Sequence, residues 1–297
     1  MKKGNRIMTK FSSIILTSAA LVVGSASASD LTFSQYNPGE NAIFPVTSVL
    51  VSGEKDAILF DAQFNTEDGQ ALVDMIKASH KNLSIIYISA GDPDYYFGLQ
   101  SLVKAFPKVR VVASQAVVEH IQSTKEAKLE YWGPIIGDAA PTNIVVPEVL
   151  NDTTLMLDGK AIEIKEINTH QAYLWIPSIK AVLGGVSVTS GMHVWTADTQ
   201  TQASRKEWTE SLKRMAALQP EVVIPGHYLG TMPAKAEAIS FTIDYLTAFE
   251  KELTAVEKFK ANKSDAVIKA MKKRYPELPG ESDLELSAKV NTGEMQW

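Results

Sequence analysis

The chain has 297 residues, with 29 lysines and arginines against 34 acids, no cysteine, and 45% hydrophobic residues. The lack of cysteine excludes a disulfide framework and a lipidated cleavage-site thiol. An acidic balance without basic clusters argues against nucleic acid as a partner, and the length suits one large α/β domain or two small ones.

Residues 1–28 read as a removable leader. Lys2, Lys3, Arg6 and Lys10 make a positive start, Ile14 to Val23 is an apolar run, and Ala26-Ser27-Ala28 is a small-x-small cleavage signature. This is the pattern of a secretory signal peptide cut after Ala28. The run is too short, and too rich in Ser, Thr and Ala, for a membrane span of about 20 apolar residues. The expectation is a periplasmic or secreted protein that is free of the membrane after cleavage and acts on a small molecule. Cleavage removes four of the 29 bases and no acids, leaving 25 bases against 34 acids.

The next segments read as strands, then as alternating strands and helices. Val46–Val51 and Ala57–Phe60 are short apolar runs parted by Gly53-Glu54-Lys55-Asp56, which predicts a hairpin. Thr66 is placed to cap a helix with Glu67 and Asp68 in its first turn and Leu72, Met75 and Ile76 on its apolar face. Strand Ser84–Ile88, helix Tyr96–Phe106, strand Val109–Ala113 and helix Ala116–Ser123 follow. This rhythm is that of a parallel sheet covered by helices.

The middle is strand-rich. Asn143–Val146, Thr154–Leu157 and Ala161–Ile167 are candidate strands, with Asp158-Gly159 as a hairpin turn. Tyr173–Ile176 and Ala181–Leu183 flank a turn at Pro177-Ser178-Ile179-Lys180. Ser204 and Glu207 suggest a capping box for helix Arg205–Leu218, and strand Glu221–Ile224 then runs into Pro225-Gly226-His227. In the tail, Ile239, Ile243, Leu246, Phe249, Leu253 and Val256 form one apolar stripe on a long helix. That stripe permits a homodimer and equally fits packing within the chain. A shorter helix, Asp265–Arg274, and an irregular end complete the reading.

Five histidines can be weighed singly. His80 ends a polar helix and reads as solvated. His120 lies among Val117, Val118 and Ile121 and reads as a packing or surface residue. His170, His193 and His227 fall in loops after strands, where a sheet presents side chains to a ligand. Asp92 and Asp94 stand in a similar turn, Ser89-Ala90-Gly91-Asp92-Pro93-Asp94.

Four blocks in order carry a resemblance: "ILFDAQF" closing the hairpin, "ISAGDPDYYFGL" at a strand–turn–helix, "NTHQAYLWIPSIKAVLGGVSV", and "VVIPGH". From about Val46 to Tyr228 the chain resembles the metallo-β-lactamase superfamily. The resemblance implies an α/β fold, a four-layer αβ/βα sandwich with extra C-terminal helices. It divides the chain into a signal peptide at 1–28, the metallo-β-lactamase-like domain at 29–231, and a helical extension at 232–297 packed on that domain.

The family's ligand motif is rewritten here. Of S-H-x-H-x-D-H-x-x-G, the two leading histidines fall on Ala90 and Asp92, the aspartate on Asp94, and the third histidine on Tyr95. His170 and His227 keep ligand positions, and the bridging aspartate falls on Val186. By role, Asp92 and His170 belong to one metal site and Asp94 and His227 to the other. Each site is short of the three protein ligands usual for a catalytic zinc.

The resemblance therefore implies a hydrolase of an ester, lactone or amide, with all four residues converging on one divalent metal, zinc first, manganese or iron as alternatives. Asp94 is a candidate base. Tyr95 is a candidate electrophile toward a carbonyl. His193 and Trp195 are a candidate substitute ligand or substrate contact. The rival reading is a non-catalytic, metal-free binding or scaffolding relative, in which Asp92 and Asp94 cap the helix that follows.

Overall fold

Alternation along the central strands decides the layering. In β3 (Asp56–Phe60), after β1 (Thr32–Tyr36) and β2 (Ser48–Ser52), Leu59 points to one face while Ile58 and Phe60 point to the other. The same split divides Ile86 and Ile88 from Tyr87 in β4 (Asn82–Ile88). A strand apolar on both faces must be covered on both. The computed structural model, which describes residues 30–297, supplies both covers. The leader lies outside the described residues.

With β5 (Arg110–Ala113) and β6 (Glu148–Val149), these strands form a six-stranded sheet in the order β1-β2-β3-β4-β5-β6. It is antiparallel from β1 to β3 and parallel from β3 to β6. Its outer face carries α1 (Thr66–Ser79), the short α2 (Pro93–Tyr96), α3 (Leu99–Ala105) and α4 (Gln115–Ile136).

The second sheet takes β7 (Thr154–Leu157), β8 (Lys160–Lys165), β9 (Tyr173–Ile176) and β10 (Ala181–Leu183). Beyond β11 (Thr189–Ser190) it adds β12 (Val222–Val223), giving the order β12-β10-β9-β8-β7. Leu174 and Ile176 face the first sheet, while Tyr173 and Trp175 face the outer helices. These helices are α5 (Gln202–Ala217), α6 (Glu237–Val256), α7 (Lys263–Arg274) and α8 (Glu281–Asn291). Helix, sheet, sheet, helix is the four-layer sandwich expected from the sequence.

Several local expectations are corrected. The cap of α1 is Asn65, whose side chain accepts from Asp68 N, one residue before the expected Thr66. The single helix expected at Tyr96–Phe106 is two, broken at Gly98, where a Cβ would sit 2.0 Å from the Ala62 carbonyl oxygen. Helix α4 runs to Ile136 instead of ending at Ser123. The capping box of α5 is Thr201 with Ser204, not Ser204 with Glu207. Residues 143–146 make no strand, β8 stops at Lys165, and the end expected to be irregular contains α8.

The stripe on α6 is spent inside the chain. Ile239, Leu246, Phe249, Leu253 and Val256 pack with Leu212, Met215, Val267, Met271 and Leu284. Each such side chain contributes about 1.5–3 kcal/mol relative to exposure, so a dimer would need another face. Among the described residues no helix is long and apolar enough to cross a membrane.

Candidate functional site

The site is built where the strands end, on a chain of hydrogen bonds. Asp61 follows β3 with φ 65, which turns its side chain inward. Its carboxylate accepts from Ser89 N at 2.8 Å and Ser89 Oγ at 2.7 Å, just after β4. Ser89 Oγ in turn accepts from Gly185 N at 2.7 Å, just after β10. The Gly185 carbonyl receives the Tyr95 hydroxyl at 3.2 Å. Three strand ends are thus fixed relative to one another. Burial pushes the Asp61 carboxyl up to about 7, against the opposing effect of its bonds to Ser89.

On this frame lies a carboxylate–imidazole couple. Asp94 sits in α2, and His227 opens β13 (His227–Tyr228), which pairs in parallel with β11. An isolated bridge to Val46 holds His227 from the other side. His227 Nε2 is 2.7 Å from Asp94 Oδ2, and the side chains are 18% and 8% exposed. His227 Nδ1 is 3.5 Å from the Tyr95 hydroxyl. Burial disfavours the imidazolium. The Asp94 hydrogen bond and charge, with Asp283 and Asp92, outweigh it and raise the His227 pKa above its ordinary value. Asp283, from α8, is itself pushed up to about 6 by burial, with His227 opposing. Asp94 Oδ1 has no hydrogen-bond partner among the described residues.

A second cluster lies beside the first. Asp92 stands at the N-cap position of α2 but makes no capping bond. Its Oδ1 accepts from Lys128 Nζ at 2.9 Å. The same ammonium lies 3.1 Å from His120 Nε2 and 3.3 Å from the Gly91 carbonyl. Lys128 and His120 are two turns apart on one face of α4. Burial first, then Lys128, lowers the His120 pKa, so the ring is neutral and accepts. His170, exposed in the loop after β8, faces His120 with ring centroids 6.4 Å apart.

The remaining candidates have other partners. Tyr95 is fully buried with its hydroxyl given to Gly185, so it clasps the frame instead of facing a substrate. His193 is 1% exposed; its Nδ1 is 2.9 Å from the Tyr245 hydroxyl on α6, and its backbone N donates to Pro279 O. Through these two bonds it locks the C-terminal helices to the sandwich. Trp195 donates to Asp198 Oδ2 at 2.5 Å and meets Trp297 and Phe44 edge-on. Phe44 also meets Trp132, one helical turn beyond Lys128. Val186 packs against the outer core of the first sheet.

Residues 42–227 match the sequence profile of the metallo-beta-lactamase superfamily. The chain belongs to this superfamily. Solved structures of metallo-β-lactamase fold agree. The metallo-beta-lactamase from Pontibacter korlensis is similar at 19% identity and TM-score 0.52, over 74% of this chain and 96% of that one. The DIM-1 metallo-beta-lactamase gives 16% and 0.51, over 74% and 98%. A metallo-beta-lactamase family protein from Thermus thermophilus gives 15% and 0.59, over 88% and 93%. That 88% is more than residues 30–231 alone can supply, so this likeness runs into the C-terminal helices. At these identities the likeness concerns the fold. A comparison with curated protein sequences found no significant match.

Metallo-β-lactamase superfamily proteins usually hold divalent metals such as zinc. The donor set of this chain does not fit that centre. Among the described residues, no three of His, Asp or Glu are grouped to hold an ion. Asp94 and His227 bond directly to each other, and Asp92 is committed to an ammonium. Asp92, Asp94, His170 and His227 therefore form two clusters rather than one ligand set. The sequence reading missed Asp61, Lys128 and Asp283 and took His120 for a packing residue. The detectable signal was the spacing of His120 and Lys128, obscured by ending α4 too early.

Proposed function

We propose that this chain is an exported hydrolase that cleaves an ester, lactone or amide in a small molecule, with Asp94 and His227 as its acid–base couple. The observation that carries this reading is the part-buried 2.7 Å contact between His227 Nε2 and Asp94 Oδ2 at the strand ends. The free Oδ1 of Asp94 takes the proton of an attacking water. Asp94 then gives that proton to the leaving oxygen or nitrogen, while His227 Nε2 holds its Oδ2 in place. Tyr95 fixes the imidazole from its other nitrogen, and the Asp61–Ser89–Gly185 chain holds Tyr95 in place. The aromatic group Phe44, Trp132, Trp195 and Trp297 suits an apolar part of the substrate.

The test is turnover of ester, lactone and amide panels by the purified protein, in chelator and in added zinc. The expected result is hydrolysis unchanged by either, and reduced about 100-fold or more by Asp94→Asn and by His227→Gln. Activity that needs added metal, or that survives both substitutions, overturns the reading. A second reading, a metal-free binding protein, is favoured by the Lys128–Asp92 bond. Saturable binding of a panel member without turnover would select it.

A further inference from the structure

Eight large hydrophobic side chains stand exposed among the described residues, and five of them share one stretch of surface: Ile43, Tyr131, Ile135, Met295 and Trp297, each exposed by 40% or more. Aromatic contacts join them. Tyr131 meets Trp132 with ring centroids 4.9 Å apart, Trp132 meets Phe44 at 5.2 Å, Phe44 meets Trp195 at 6.4 Å, and Trp195 meets Trp297 at 5.5 Å. Ile43 precedes Phe44, Ile135 follows Tyr131 by one turn of α4, and Met295 stands two residues before Trp297. The string runs beside the Asp94–His227 couple. Pro45, next to Phe44, accepts the backbone N–H of Tyr228, and Val46 bridges His227. Trp132 is one turn beyond Lys128, which holds Asp92. Asp198 accepts both indole N–H groups, from Trp195 at 2.5 Å and from Trp297 at 2.8 Å, so the half-exposed ring of Trp297 is pinned at the surface.

An apolar patch of this kind, open to water in a folded chain, marks a surface that something covers. The charges around it restrict the occupant. The exposed ionisable side chains nearest to it along the chain, Glu40, Glu130, Asp138 and Glu294, are all acids, as is Asp198 between the indoles. An anionic surface is thus disfavoured and a neutral one is not. Tyr and Trp, each with an apolar body and a polar tip, favour the boundary between lipid and water. The patch also borders the couple, so whatever seats on it covers the site. A second copy or another protein there shuts the site off from small molecules, whereas a lipid surface delivers one. We propose that this patch seats reversibly on a neutral lipid surface, and that the substrate is an amphiphile in that surface, a lipid-like ester or amide whose apolar chain lies along the aromatic string. Water adds to its acyl carbon, the acyl–oxygen or acyl–nitrogen bond breaks, and a carboxylic acid leaves with the alcohol or amine. The substrate class rests on the hydrolytic reading; the lipid contact does not. The contact needs no span or covalent anchor, in keeping with the expectation of a chain free of the membrane after cleavage.

The experiment floats the purified full-length protein with phosphatidylcholine vesicles, follows tryptophan emission on mixing, and repeats both with phosphatidylglycerol vesicles. Wild type is compared with Asp94→Asn, Ile43→Ser and the double variant Tyr131→Gln/Ile135→Gln, whose glutamines keep helical preference. Thermal melts check each fold. Wild type and Asp94→Asn are expected to bind phosphatidylcholine alike, with emission shifted to shorter wavelength. Ile43→Ser and the double variant should bind at least about tenfold more weakly. The double variant should hydrolyse a long-chain ester in vesicles at least about tenfold more slowly, and a short soluble ester at the wild-type rate. The proposal is overturned if folded wild type does not bind phosphatidylcholine vesicles, if the double variant binds as wild type does, or if binding needs phosphatidylglycerol. A wild-type dimer that the double variant loses, seen by light scattering, overturns it too, because the patch then joins two copies. Vesicle binding as expected, without turnover of any ester or amide, upholds the contact and fails the hydrolytic reading.

Discussion

His193 Nδ1 lies 2.9 Å from the Tyr245 hydroxyl, a fully internal bond between residues 52 positions apart. It joins the loop after β11 to α6. Burial first, then Lys272, holds the His193 pKa at about 4, with Glu281 opposing. The unfolded chain takes up a proton near the ordinary value of about 6.5 that the folded chain refuses until about pH 4. The stabilisation is therefore complete above about pH 6.5 and declines as pH falls toward 4, by roughly 2–3 kcal/mol. Chemical unfolding of wild type and His193→Phe at a series of pH values should show their difference shrinking through this window. A difference that is flat with pH would remove His193 from the account. Subtracting the variant matters because Asp61, with its raised pKa, contributes with the opposite sign in the same range.

Tyr95→Phe separates a clasp from an electrophile. The substitution leaves the Gly185 carbonyl without its 3.2 Å donor in a buried place, which costs about 1–3 kcal/mol. The expected outcome is a lower melting temperature with turnover reduced less than tenfold. A loss of turnover near that of Asp94→Asn, at unchanged melting temperature, would mean that the phenol acts on substrate.

Gly226 is required by the close approach beside His227. A Cβ there would lie 2.2 Å from the Gly185 carbonyl oxygen and 2.8 Å from the Tyr95 hydroxyl. Because the nearest atom is backbone, Gly226→Ala should destabilise by about 1–3 kcal/mol and displace His227. Paired measurements of denaturation midpoint and turnover check this. If both are as in wild type, the two strand ends are looser than the contact implies.

Arg205 ties three helices together. It is 7% exposed, with Nε 2.6 Å from Glu250 on α6, and one of its NH groups also reaches Thr199 O and Asn291 on α8. Removing Glu250 takes the carboxylate from a buried Arg205 that keeps Thr199 O and Asn291 as acceptors. Glu250→Ala should therefore cost about 1–3 kcal/mol, whereas Glu250→Gln should cost less. Urea denaturation of the two variants tests the order, and equal losses would contradict it.

Features written in local pattern were legible in the sequence. The hairpin from Val46 to Phe60, the strand Tyr173–Ile176 and the stripe on α6 were readable because their apolar residues recur with the period of their element. Helix α4 was read too short because only Val118 and Ile121 are buried along its 22 residues. After Ser123 the stretch Thr124-Lys125-Glu126-Ala127-Lys128 has no large apolar residue, and the apolar face resumes only at Leu129, Trp132 and Ile136. The lost half carries Lys128, so the ammonium beside Asp92 was invisible. Asp283 escaped for a related reason, since the tail was read as irregular there and nothing local ties it to His227. His193 is a candidate substitute ligand or substrate contact in the sequence because it follows a strand, and its partner Tyr245 lies on a distant helix. Pattern reports the face an element turns to the core. It does not report which polar side chains meet across elements.

The Asp94–His227 bond closes a loop of 133 residues, and Asp283 reaches the same couple from α8 near the end of the chain. A chain is made from its N-terminus, so Asp94 is in place long before either partner exists. The early strands can pair and α1 can dock while the couple is still missing half of its atoms. Non-local closures of this kind come late and slowly in folding. The centre is therefore a property of the finished molecule: a nascent or prematurely ended chain holds the scaffold and none of the chemistry, and any turnover reports completed copies alone.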